Sequence, residues 1–122
     1  SIFNQDLAPI PNGAAFNVFI PVPGTYVFVH KATVANSAFD YTDINNPLAN
    51  GNPPALVWVT PNWNPGAVGG VYDTNPVGVW YHATVARWSI FNQDGTSAIP
   101  NGAAFNVCVA PPQKLFLPML LR

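Results

Sequence analysis

Two histidines, one cysteine and five acidic residues are the side chains of this sequence best suited to ligating a metal or moving a proton. A zinc site wants three or four His, Cys or carboxylate ligands, and nothing in the spacing gathers His30, His82, Cys108 and an acid. Both histidines therefore read as structural. Cys108 has no partner for an intramolecular disulfide. It aligns with Phe19 in a second copy of its surroundings and reads as a small apolar residue rather than a redox centre. The acids are all aspartate, at positions 6, 40, 43, 73 and 94. Asp43-Ile44-Asn45-Asn46 and Asp73-Thr74-Asn75 open like calcium loops, but neither continues into a full set of oxygen ligands and no Glu closes one. Asx turns are the plainer reading. No Gly-x-Ser-x-Gly elbow occurs, and no Ser or Cys stands in a recognisable nucleophile context. The sequence reads as non-enzymatic, with no cofactor and no metal.

Aromatic residues offer binding chemistry instead. Trp58, Trp63, Trp80 and Trp88, with Tyr72 and Tyr81, are enough to build a platform for sugar rings. Trp63 lies in a Gly/Pro/Asn loop, and Trp58, Trp63 and Tyr72 are the stacking candidates of a carbohydrate-binding reading. Against it, Trp58, Trp80 and Trp88 sit in strand-like runs, where core or subunit packing is commoner.

Charge is scarce. Only 7% of residues are charged, against about 25% in an ordinary soluble domain, and the formal net charge is -1. Little repulsion keeps copies apart, so the surface favours association. Lys31, Arg87, Lys114 and Arg122 are scattered and build no phosphate-binding patch, which argues against nucleic acid as a partner. No apolar run approaches the ~20 residues of a membrane span. Abundant Pro and Asn with almost no Lys or Glu read as a secreted, extracellular or cell-surface protein. The chain starts directly in a strand-like block with no signal peptide, as a processed mature form would, and it has no Asn-x-Ser/Thr acceptor.

The elements that must position these residues are organised around a block that occurs twice. Ser1 to Asp6 and Ile10 to Val18 return, residue for residue, as Ser89 to Asp94 and Ile99 to Val107. Only the spacers differ, Leu7-Ala8-Pro9 against Gly95-Thr96-Ser97-Ala98. The body between the copies, roughly 22 to 88, has no second copy of comparable fidelity. Residues 1–110 are read as a single β domain with the block at both ends (1–18 and 89–107), and 111–122 as an extended C-terminal tail.

Alternating apolar residues predict a strand over Ala14 to Ile20, with Phe16, Val18 and Ile20 on one face, and another over its twin, Ala103 to Ala110. Thr25 to Val34 and Ala55 to Thr60 read as strong strands, Phe39 to Thr42 and Val71 to Thr74 as short ones. Val77 to Asn92 is the longest strand-like run, predicted to bend or break near Arg87-Trp88 because it exceeds an average strand of about 5–6 residues. Asn45 to Pro54 and Pro61 to Gly70 are rich in turn formers. No window shows sustained helical periodicity. The fold class is all-β, an antiparallel two-sheet sandwich or jelly-roll-like arrangement.

Several motifs support a resemblance. Phe-Asn-Gln-Asp, Gly-Ala-Ala-Phe-Asn-Val, Asn46-Pro-Leu-Ala-Asn-Gly-Asn-Pro53, Val59-Thr-Pro-Asn-Trp-Asn-Pro-Gly66 and Gly78-Val-Trp-Tyr81 resemble an uncharacterised repeat domain of secreted bacterial proteins, often found in tandem. The likeness covers residues 1 to about 109 and implies extracellular location; it carries no activity. The ending Leu115 to Arg122 is similar to the C-termini of secreted bacterial surface proteins.

One body with two equivalent partners has a copy to spare. Apolar burial alone does not meet the entropy of ordering some twenty residues, so the spare must join a sheet, as in strand addition between subunits. Ile2, Phe3, Ile10, Phe16, Val18, Ile20, Ile90, Phe91, Phe105, Val107, Leu115 and Phe116 are the candidate interface residues. A head-to-tail contact of this kind closes a ring or grows a filament. The reading is a self-associating homopolymer, a secreted structural subunit, with surface polysaccharide as a further partner. Two alternatives stand beside it: a lectin-like β-sandwich, and a closed monomer in which both copies are related edge strands.

Overall fold

The computed structural model describes Ile2, Asn4, residues 7–20 and residues 26–110. Period-2 alternation is converted into seven strands: β1 Val27–Lys31, β2 Ser37–Ala38, β3 Tyr41–Asp43, β4 Leu56–Pro61, β5 Val77–His82, β6 Arg87–Asn92 and β7 Ala104–Ala110. They form two antiparallel sheets, one in the order β1-β7-β4 and the other β2-β3-β6-β5. No α-helix occurs among the described residues, and the one 3-10 turn is Pro65–Ala67. The chain is all-β.

The inner faces supply the core. Phe105, Val107 and Val109 of β7 and Ile90 of β6 are fully buried together with Ile44, Ile99 is buried beside them, and Phe28, Val57, Val59, Val79 and Trp88 pack against that cluster. Alternate residues of the three-stranded sheet, Val29, Leu56 and Trp58, point outward and are exposed. The Asn45 to Pro54 connection is a chain of turns tied by its own amides, with Asn52 Nδ2 donating to the Leu48 carbonyl at 3.0 Å. Its Asn52 carbonyl accepts the Trp88 indole N–H at 3.0 Å, fixing the loop to β6.

Both sheets receive their middle from one stretch. β7 lies between β1 and β4, pairing Val107 with Phe28 on one side and Val59 on the other. β6 lies between β3 and β5, pairing Ile90 with Thr42 and Val79. Residues 87–110 are thus the hub on which every other strand except β2 leans.

Several expectations are corrected. Ala14 to Ile20 forms no strand, although its twin does. The long run from Val77 does break, but by a turn at 83–86, just ahead of Arg87-Trp88, which open β6. That turn lacks Gly and Pro and places Ala86 at φ 54, which hides it from sequence punctuation. Phe39 and Asp40 are the turn of the β2–β3 hairpin rather than part of a strand. Val71 to Thr74 contributes only an isolated bridge, Val71 to Ala103.

Candidate functional site

Identical residues occupy opposite environments at the two ends of the chain. Phe105 is 0% exposed and Phe16, its equal, 49%; Ile90 is 0% and Ile2 50%; Val107 is 1% and Val18 67%. Residues with the same intrinsic preference differ only in whether strand edges flank them. The edges of β1 and β4 frame one slot, and those of β3 and β5 another. The C-terminal copy fills both. The N-terminal copy is left with an unused apolar face.

The unused copy nevertheless keeps the local bends of its buried twin. Leu7 N–H donates to the Asn4 carbonyl at 3.1 Å, as Gly95 N–H does to Asn92 at 3.1 Å. Both turns carry positive φ, 62° at Leu7 and 62° at Gly95, a conformation that costs a leucine about 1–2 kcal/mol and a glycine nothing. Asn4 Nδ2 donates to Ala8 O at 2.9 Å and Asn92 Nδ2 to Ser97 O at 3.0 Å. In each case the acceptor is the residue two before the isoleucine, so the shorter spacer closes the same link. Ala14 N–H to Pro11 O, at 3.1 Å, repeats Ala103 N–H to Pro100 O at 3.0 Å.

Asn17 and Phe19 of the unused copy lie against the outer face of the three-stranded sheet. With Val27, Trp58, Thr60, Asn106 and Cys108 they line a groove of about 440 Å³.

The outer face of the four-stranded sheet carries a second cluster. Trp80 stacks on His82 at 4.7 Å, and Tyr41 meets both edge-on, at 6.0 and 5.4 Å. Tyr41, Trp80, Phe91 and Asp40 line a shallow depression of about 370 Å³. Beside it, Asp43 Oδ1 accepts from the Ser89 hydroxyl at 2.6 Å and from His82 Nδ1 at 3.1 Å. Serine and histidine share one carboxylate oxygen, and Ser89 is fully buried. The hydroxyl hydrogen is therefore committed to Asp43 rather than to the imidazole, so this is a pin between β3, β5 and β6 and not a nucleophile relay.

His30 faces the core, where its Nε2 meets Thr42 Oγ1 at 2.8 Å. Burial lowers its pKa to about 4, with the nearby Asp43 carboxylate opposing the shift. Consecutive residues of β3, Thr42 and Asp43, thus each take one histidine, on opposite faces. Asp94 is held below the usual carboxylate range by hydrogen bonds from the Ser97 side chain and the Thr96 and Ser97 amides. Asp73 Oδ2 is buried without a partner among the described residues, while Oδ1 accepts from Asn75 in an Asx turn. No group of three or more His, Cys, Asp or Glu able to hold a metal occurs among the described residues.

The residues read from sequence separate by copy. Ile90, Phe105 and Val107 are committed to the chain's own core, and Phe91 lies half-buried on the outer face of β6. Ile2, Ile10, Phe16, Val18 and Ile20 are exposed. Phe3, Leu115 and Phe116 lie outside the described residues. Trp58 stands exposed on β4, Trp63 exposed in the following loop, and the Tyr72 hydroxyl donates to Asn4 O at 3.4 Å. Of the rings that the fold does gather, sequence names Trp80 among the platform aromatics and His82 among the ligand candidates but not Tyr41, and not their meeting, because the register aligning them across β3, β6 and β5 is not written in local spacing.

A family model described as a domain of unknown function (DUF7452) matches residues 1–110. No curated protein and no solved structure matches the chain. No helix among the described residues is long and apolar enough to cross a membrane.

Proposed function

The chain belongs to that family of domains of unknown function, and from there we propose that it is a non-enzymatic structural subunit, secreted and self-associating head-to-tail into an extracellular filament. The link is strand complementation: the N-terminal copy of one molecule takes the β6 and β7 positions in the next. One observation carries the reading. A sequence that is the hub of both sheets at one end of the chain stands exposed, with its bends preserved, at the other.

Energetics shape how such a link forms. Each chain holds two donor copies and one body, so an incoming copy must displace the resident one. Block for block the exchange is nearly neutral, since Phe16 is buried as Phe105 is released. Every insertion also frees a new donor, and growth has no built-in stop. The scarcity of charge removes the repulsion that would keep bodies apart. Secretion is supported by the same composition and by the resemblance to secreted repeat domains.

Negative-stain imaging and sedimentation of the purified protein test the reading. Extended assemblies are expected, and they disappear when residues 1–20 are deleted. A monodisperse single particle at high concentration in the intact chain refutes it.

The aromatic depression on the four-stranded sheet favours a second reading, a carbohydrate-binding module. Exposed Trp80, flanked by Tyr41 and Asp40, presents a ring face with a carboxylate at its rim, the combination that stacks and hydrogen-bonds a sugar. Glycan-array binding abolished by Trp80→Ala, with a monomeric protein, supports it; no binding on the array refutes it.

A further inference from the structure

We infer that residues 1–20 are a competitor, within the same chain, for the strand positions held by residues 89–109. The inference rests on the proposed function only in taking the N-terminal copy as the spare.

Side-chain chemistry permits the exchange. Ile2, Ile10, Ala14, Phe16 and Val18 repeat Ile90, Ile99, Ala103, Phe105 and Val107, the buried residues of the resident copy. Ile20 replaces Val109 with one extra methylene. Phe19 replaces Cys108 on the outward side, beside the open groove at Trp58, where a larger ring has room.

Chain reach permits it too. The end of β7 adjoins the start of β1: Val27 pairs with Cys108, and Val109 N–H donates to Tyr26 O at 2.8 Å. With Phe19 in the place of Cys108, Ile20 sits beside Tyr26. The five residues 21–25 then close an antiparallel hairpin onto β1, within the 2–5 usual for such loops. At the other end, position 1 takes up the register of Ser89, immediately after Arg87 and Trp88, which stay on β5 through His82 and Tyr81. Between the two strands the spacer is one residue shorter, yet the Asn4-to-Ala8 bond already makes the closure that Asn92 makes to Ser97.

Which copy is home decides which end is exported. With residues 89–109 in place the free donor is N-terminal; with residues 1–20 in place it is C-terminal. A short tether gives the chain's own copy an effective concentration in the millimolar range, so in dilute solution it outcompetes a copy from another molecule.

The test expels the resident copy in the full chain. Phe105→Asp puts a charge into the core position of β7, and Phe16→Asp does the same to the spare. Phe16→Asp alone is expected to leave the thermal transition unchanged. Phe105→Asp is expected to keep a cooperative transition and sediment as a monomer, and the double variant to lose the transition. In a Phe105→Asp, Cys108→Ala background, Val18→Cys and Val59→Cys are expected to form an intrachain disulfide, since Val59 is the partner of Val107. Unfolding of Phe105→Asp alone, or survival of the double variant, overturns the inference. A Phe105→Asp protein that folds only as oligomers also overturns it while leaving the inter-subunit link standing. A folded monomer together with no assemblies in wild-type images supports the inference and refutes the filament.

Discussion

Acidification is expected to destabilise the fold through His30 before the carboxylates are reached. In the sandwich the imidazole is buried against Thr42 and its pKa falls from 6.5 to about 4. The unfolded chain therefore takes up a proton below pH 6.5 that the folded chain refuses until about pH 4. Stability is full above 6.5, declines as pH falls through that window, and levels off below it. The gap corresponds to about 3 kcal/mol at roughly 1.4 kcal/mol per pH unit, a large share of the about 5–15 kcal/mol that holds a domain together. The rest of the sequence is common to wild type and a His30 variant, so titrations elsewhere cancel in a comparison of the two. Urea unfolding of the intact chain at half-unit steps from pH 7.5 to 4 measures the slope, and His30→Gln, which keeps a donor toward Thr42, is the reference. The difference between the two proteins should grow as pH falls from 6.5 and flatten near 4. Parallel stability curves for wild type and His30→Gln across the window would refute the reasoning.

Three further outcomes follow from single contacts. Gly78→Ala would place a Cβ 2.7 Å from Phe91 Cε1 across the β5–β6 pair, so a loss of about 1–3 kcal/mol is expected in chemical denaturation, partly recovered by adding Phe91→Leu. Ala86→Gly relieves a left-handed alanine at φ 54 and should raise stability by about 0.5–1 kcal/mol, read as a higher melting temperature. Ser89→Ala strips Asp43 of its buried hydroxyl donor and should cost about 1–3 kcal/mol, with no such loss from Ser37→Ala on the two-residue strand β2.

Much of the architecture was legible because alternation is a local signal. Phe105, Val107 and Val109 announce an inward face by spacing alone, and Leu56 to Pro61 sits within one residue of the predicted strand. Ala14 to Ile20 carries the same signal and forms no strand. Pattern states what a segment would bury, whereas the number of vacant slots decides whether it does, and that number is a property of the whole sheet. The break between β5 and β6 lies a few residues earlier than its sequence suggests because Ala83-Thr84-Val85-Ala86 form the turn without Gly or Pro. The candidate site was half legible: repetition exposed the surplus copy, but which copy is surplus depends on which one β1 and β4 pair with. The pin joining Asp43, Ser89 and His82 needed the register, which brings together residues 39 and 46 positions apart.

Vectorial synthesis gives the placement of the hub a further meaning. A ribosome delivers β1 through β5 before either sheet has a middle, so Val27 must wait for Cys108 to be made. Such distant pairing folds slowly and leaves apolar edges bare in the interval. Residues 1–20, made before the body, repeat those missing strands, so the inferred exchange would let them cover the open edges until residues 89–109 arrive.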